Sequence, residues 1–175
     1  QRQMCIRDRS KSMAGIKYDT GGSAVMTKAI DELINRFPGW TEEEEVVFSF
    51  ISDDSGVAWY PVSGAVIEIE KKTIIGEVRQ TCQYPFYVLY RTATTSERSR
   101  ISVKEKLDKL GEWLERQDIT VSGQHYKLNG YPEIGGRKIN SIRRTTPSYN
   151  ANNYDDGICD WVVYITVQYE NNYFE

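Results

Sequence analysis

The stretch from Thr81 to Arg91, Thr-Cys-Gln-Tyr-Pro-Phe-Tyr-Val-Leu-Tyr-Arg, constrains the fold most, because apolar side chains fill both of its alternating sets. In an extended chain Phe86, Val88 and Tyr90 share one face, and Tyr87 and Leu89 share the other. A strand apolar on both faces is expected at the centre of a sheet and covered twice. Proline cannot donate to a ladder, so the extended region from Thr73 to Arg91 is expected to break near Tyr84-Pro85. Directly after it, Ser96 can cap a helix in which Val103, Leu107, Leu110 and Leu114 recur at helical spacing, with Trp113 widening the stripe. Lys104, Glu105, Asp108, Lys109, Glu112 and Glu115 form its solvated side.

Upstream, Asp19-Thr20-Gly21-Gly22-Ser23 reads as a turn offering caps to a helix that begins near Ala24. Val25 or Met26, Ala29, Ile30, Leu33, Ile34 and Phe37 give that helix an apolar stripe, and Pro38-Gly39 stops it. Glu42 to Glu45 form an acidic connector. Strands are expected from Val46 to Ile51, with Val46, Phe48 and Phe50 on one face, and from Ala65 to Glu70, followed by a Lys71-Lys72 turn. Two further strands run from Arg137 to Arg144 and from Trp161 to Tyr169. Residues 118–136 read as a long loop or hairpin arm, and residues 147–157 as a connector rich in Asn, Tyr and Asp. The order α-β-β-β-α-β-β indicates an α+β domain: a mostly antiparallel β-sheet with two main helices packed on one side.

A chain of 175 residues fits one domain with a real core. Residues 1–12 differ from the rest, because "QMCIRDR" resembles a translated sequencing adapter. They are expected to be a non-native or disordered leader, with the domain occupying residues 13–175. Without Arg2, Arg7, Arg9, Lys11 and Asp8, the 22 Lys and Arg and 25 Asp and Glu leave a net charge of −6. Free nucleic-acid binding needs clustered cations, so acidity argues against it. Cys82 and Cys159 share no metal-binding spacing and read as free thiols in a reducing compartment, with a disulfide between them the alternative. No apolar run has membrane-spanning length, so a soluble protein made in the cytoplasm, with no membrane partner, is expected.

Reactive constellations are sparse. His125 is the single histidine, any catalytic triad must use it, and it lies in Ser-Gly-Gln-His-Tyr without a nucleophile elbow. It reads as an exposed loop residue. Asp53-Asp54 and Asp155-Asp156 sit in hydrophilic connectors, where both carboxyls stay ionised, and they lack EF-hand spacing. Gly21-Gly22-Ser23 lacks the strand and the Lys-Ser/Thr ending of a phosphate loop, so helix capping explains it better. No catalytic residue, cofactor or metal is therefore assigned. Simple alternation puts Arg137 and Arg143 on one side of their strand and Lys138 and Arg144 on the other. These cations are expected to line a DNA-passing pore, to meet an acidic neighbouring subunit or to be solvated. Tyrosine buries area while keeping a polar handle. Tyr126, Tyr131, Tyr149 and Tyr154, with Arg137, Arg143 and the terminal Tyr173 and Phe174, are the expected contact residues.

The words "QYPFYVLYR", "LDKLGEWLERQ", "YPEIGGRKINSIRR" and "DWVVYITVQYE", in this order, resemble the small tail-terminator or minor-capsid (head-tail joining) proteins of phages of Gram-positive bacteria. The resemblance runs from about Met13 to the C-terminus and rests on framework motifs. It implies a virion structural protein with a tail-terminator-like fold, made in the host cytoplasm and located in the tail or neck. Such a protein forms a ring, commonly a hexamer, that caps the tail tube, halts its polymerisation and meets the head connector or neck protein. DNA would pass through the ring without sequence-specific binding. A head-completion or neck adaptor is the alternative, and a small enzyme the contrasting class.

Overall fold

Every residue of one long strand, Glu77–Ala93, pairs antiparallel with a second, Ile158–Phe174, from Ala93 opposite Ile158 to Glu77 opposite Phe174. This ladder is the axis of a computed structural model that describes residues 15–93 and 96–175. The expected leader, with Cys5, lies outside the described residues. In chain order the elements are α1 (Thr20–Asn35), β1 (Val46–Phe48), β2 (Gly56–Pro61), β3 (Val66–Lys72), β4 (Glu77–Ala93) and α2 (Glu97–Leu114). They continue with β5 (Ile119–Val121), β6 (Gln124–Tyr126), β7 (Glu133–Ile134), β8 (Arg137–Arg144), β9 (Tyr149–Asn153) and β10 (Ile158–Phe174). The described residues form one α+β domain. β2 and β3 line up end to end along the outer side of β4, and β9 and β8 along the outer side of β10. Pairing is antiparallel throughout except between β1 and β2.

β4 does not break at Pro85. Val62 N–H donates to Pro85 O, so in antiparallel geometry the proline nitrogen points the same way, into the junction between β2 and β3. No ladder donor is needed there. β2 itself was not anticipated, because Val57 and Trp59 alternate with Ala58 and Tyr60 and leave no polar face to mark the period. β1 is shorter than expected: Ser49 adopts φ 54°, which ends the extended run and leaves Phe48 and Phe50 exposed. The chain turns at Thr73–Gly76, just beyond Lys71-Lys72. The expected loop 118–136 holds the β5–β6 hairpin, whose Ser122 and Gly123 both have positive φ as a tight two-residue turn requires. It also holds β7, and the connector 147–157 holds β9.

Both helices pack on one face, so the expectation that β4 is covered twice fails. Met26, Ile30, Leu33 and Ile34 of α1 and Leu107, Leu110, Trp113 and Leu114 of α2 share one core with Trp59, Tyr84, Phe86, Val88, Val163, Ile165 and Val167. The other face of the ladder, with Tyr87, Leu89, Tyr164 and Thr166, is half-buried and carries neither helix. Ser96 caps α2 as expected, accepting from Ser99 N–H at 3.2 Å. α1 begins at Thr20, four residues before Ala24, because the Asp19 carboxylate accepts Gly22 N–H at 2.9 Å. Gly22 is required there: a Cβ would stand 1.8 Å from Asp19 Oδ2 and 2.6 Å from the Tyr169 hydroxyl.

Truncating Leu110, fully buried between α2 and the ladder, is expected to cost about 3 kcal/mol. Leu89→Ala on the uncovered face is expected to cost under about 1.5 kcal/mol. Urea denaturation of the two variants checks this asymmetry.

Candidate contact surfaces

Two carboxylates sit deep in the fold, and each is held by an arginine. Asp19 accepts Arg137 Nε and Nη2, each at 2.8 Å, and the Tyr169 hydroxyl at 2.8 Å. Asp160, 1% exposed, accepts Arg91 Nε at 2.8 Å and Nη2 at 3.1 Å, the Tyr154 hydroxyl at 2.8 Å and Asn152 at 3.4 Å. Burial alone pushes the Asp19 carboxyl up, but hydrogen bonds from Arg137, Tyr169 and Gly22 outweigh it and hold the group below its ordinary value. Asp160 is likewise raised by burial and lowered further by Arg91, Tyr154 and Asn152. These are structural clamps. The first ties the start of α1 to β8 and β10, and the second ties β4 to β10 near the β9 end.

β8 spends two of its cations in this way. Arg137 meets Asp19, and Arg144 reaches Glu115 at the end of α2 at 2.8 Å. Simple alternation assigned these two side chains to opposite faces. The ladder between β8 and β10 shifts register at Asn140, where Ser141 faces Gln168 but Ile139 faces Tyr169. That bulge inverts the alternation, so Arg137 and Arg144 share the helix face while Lys138 and Arg143 share the other. Of the two arginines proposed for contact, Arg143 is exposed and Arg137 is committed to an internal ion pair.

The uncovered face carries a row of tyrosines running across the strands. Tyr60 of β2 stacks on Tyr87 of β4 with centroids 5.2 Å apart and planes 18° apart. Tyr87 lies 5.2 Å from Tyr164 of β10, and Tyr149 of β9 stacks on Tyr164 at 6.5 Å and 12°. Cross-strand aromatic pairs of this kind stiffen a sheet by up to about 1 kcal/mol each. Sequence reading selected only Tyr149 of this row. The others sit inside strands, where their half-exposure is set by which face the helices leave open.

The other contact candidates divide. Tyr126 and Tyr131 pack against the core, and the Tyr131 hydroxyl donates to Leu114 O. Tyr154 is half-exposed but engaged with Asp160 and Arg91. Tyr173 and Phe174 are exposed at the end of β10. There Phe174 pairs with Glu77, Glu175 N–H donates to Gly76 O, and the neighbouring turn carries Ile74, fully accessible, and Ile75, largely exposed. At the β1 edge of the sheet, Val47, Phe48 and Phe50 are exposed, close in sequence to the exposed Glu42, Glu43, Glu45, Asp53 and Asp54. The isoleucines escaped notice because they occupy a turn, where no periodicity distinguishes a buried side chain from an exposed one.

His125 is exposed on β6, 3.3 Å from the Thr120 hydroxyl. Cys82 and Cys159 are buried and unlinked, one opposite Tyr169 and the other opposite Thr92, so ten residues of ladder separate them and no bridge is possible. Burial pushes the Cys82 thiol up to about 11. Among the described residues no group of three or more His, Cys, Asp or Glu is arranged to hold a metal ion, and no helix is long and apolar enough to cross a membrane.

No protein-family model matches this sequence, and no curated protein does. A solved structure of a protein bearing no functional name aligns over 87% of this chain and 94% of its own, at 17% identity and a TM-score of 0.35. A likeness at that level says nothing of this chain's role.

Asp160→Asn and Asp19→Asn are each expected to cost about 3 kcal/mol, because each removes the buried partner of a part-buried arginine and leaves that arginine without its counter-charge. Both native carboxyls lie below the unfolded value of about 3.9, so their contribution is complete above that pH and is lost as pH falls through the native value. Chemical denaturation between about pH 2 and pH 5 should therefore show a flatter acid limb in either variant than in the parent.

Proposed function

We propose that this protein is a phage virion structural protein, a tail terminator that caps the tail tube as a ring and joins it to the head. The observation that carries the reading is that large exposed apolar side chains collect in two separate patches on a rigid ladder, Ile74, Ile75 and Phe174 at its turn end and Val47, Phe48 and Phe50 at the β1 edge, where Val47 and Phe48 lie level with Leu89 and Val88. A stiff block with two separate apolar patches, one at a strand end and one at a sheet edge, suits repeated contacts that close into a ring. The buried carboxylates favour the same reading, since Asp19 and Asp160 are neutralised by arginine and serve as clamps. The word-level resemblance to tail-terminator and minor-capsid proteins supplies the specific role, with the tail tube protein and the head connector as partners and the virion neck as location.

Purified protein added to polymerising tail tube protein is expected to stop tube growth and to sit at tube ends in negative-stain images. Phage lacking the gene should yield over-long or headless tails. Tails of normal length that fail only to join filled heads would favour a head-completion adaptor, and normal virions would overturn the structural reading.

A further inference from the structure

The two exposed apolar patches, the turn end and the β1 edge, differ in charge. The turn end runs Lys71-Lys72-Thr73-Ile74-Ile75, with two cations and no carboxylate. Glu77 is paired with Arg79 at 2.9 Å and Glu175 with Lys72 at 3.2 Å, so these three cations and two carboxylates sum to +1, with Lys71 in excess. The β1 edge runs from Glu42 to Asp54 with six carboxylates and no cation. Of these, Glu44 is paired with Lys106 of α2, while Glu42, Glu43, Glu45, Asp53 and Asp54 are exposed.

The chain cannot join these patches itself. β2, which carries β1, pairs with β4 from Phe86 to Arg91, while the turn lies beyond Glu77. At about 3.4 Å per residue some 30 Å of paired strand separates them. Two copies meeting turn to turn would bring the excess Lys71 of each together, and two meeting at β1 would bring five exposed carboxylates of each together. Both arrangements are opposed by like charge. The arrangement that satisfies apolar burial and charge at once sets the turn of one copy against the β1 corner of the next.

We infer that the occupant of the β1 corner is a second copy of this chain, whose Ile74-Ile75 turn packs on Val47, Phe48 and Phe50 while Lys71, with the Lys72–Glu175 pair beside it, faces the carboxylates. The contact is heterologous: each copy uses one surface to give and the other to receive, so the assembly closes as a ring or continues as a fibre. It deepens the terminator reading and rests on it for the ring.

Light scattering over a concentration series, with melting curves to verify folding, tests the contact. The parent should form assemblies larger than a dimer. A turn variant, Ile74→Asp with Ile75→Asp, and a corner variant, Val47→Asp with Phe50→Asp, should each associate at least about 30-fold more weakly, as for the loss of hot-spot side chains. An equimolar mixture of the two should give dimers, because each retains the surface the other lacks. Charge reversal provides a milder pair: Lys71→Glu with Lys72→Glu should be rescued by Glu42→Lys with Glu43→Lys on the other copy. A parent that stays monomeric, a variant that assembles like the parent, or a mixture that stays monomeric overturns the contact. Over-long tails in phage lacking the gene, with both variants assembling normally, would overturn this contact alone. Head-to-tail assembly with normal tails in that phage would overturn the terminator reading alone.

Discussion

The continuous pairing of β4 with β10 is the constraint on which the rest of the structure depends. Seventeen residues of each strand face one another without a register shift, although the flanking strands are short and bulged. Every shorter strand of the main sheet except β1 and β7 is built directly on one of these two. Because the side-chain period is two, the ladder also fixes the two faces along its length: Tyr84, Phe86 and Val88 with Val163, Ile165 and Val167 toward the helices, Tyr87 with Tyr164 away from them. A slip of one residue would exchange the core for the tyrosine row, so the hydrophobic pattern itself locks the register.

The polar groups then fix how the helices lie on that frame. Apolar packing lets a helix slide and rotate at little cost, whereas a bidentate arginine–carboxylate pair admits few geometries. β8 supplies one such pair to the beginning of α1 and an arginine to the end of α2, through Arg137 and Arg144. The bulge at Asn140 lets both side chains reach the helix face while Ile139 and Ile142 still enter the core. Arg144 also crosses Gly111, where a Cβ would stand 2.1 Å from its Cδ, so α2 lies close against the strand.

What could be read from the sequence follows from what has a period. The stripes of α1 and α2, the Ser96 cap, and the strand around Phe86 were legible because each repeats a spacing that burial imposes. The single-sided placement of the helices came from element order. The β8 bulge was not legible, since one inserted residue leaves no mark in composition, and it reversed the reading of Arg137. Pro85 misled for a related reason: its tolerance depends on a gap between β2 and β3, two elements distant in sequence from it. The tyrosine row and the exposed isoleucines were hidden because exposure of an apolar side chain within a strand or turn is decided by tertiary neighbours.

The edges of the sheet bear on how such a block meets others. An open edge strand invites indiscriminate pairing with any extended chain. At β1 the Asn35 side chain takes both Val46 N–H, at 3.0 Å, and Val46 O, at 3.2 Å. At β8 the outward Arg144 N–H is taken by Glu115, and β7 covers Arg137 and Lys138. Side chains of the same domain thus occupy backbone groups that a foreign strand would otherwise use. Contacts at these ends are left to exposed side chains, Val47, Phe48 and Phe50 among carboxylates and Ile74 and Ile75 beside lysines. Side-chain contacts discriminate by shape and charge where backbone pairing does not, and a protein meant to join particular partners in a fixed order gains specificity from that exchange.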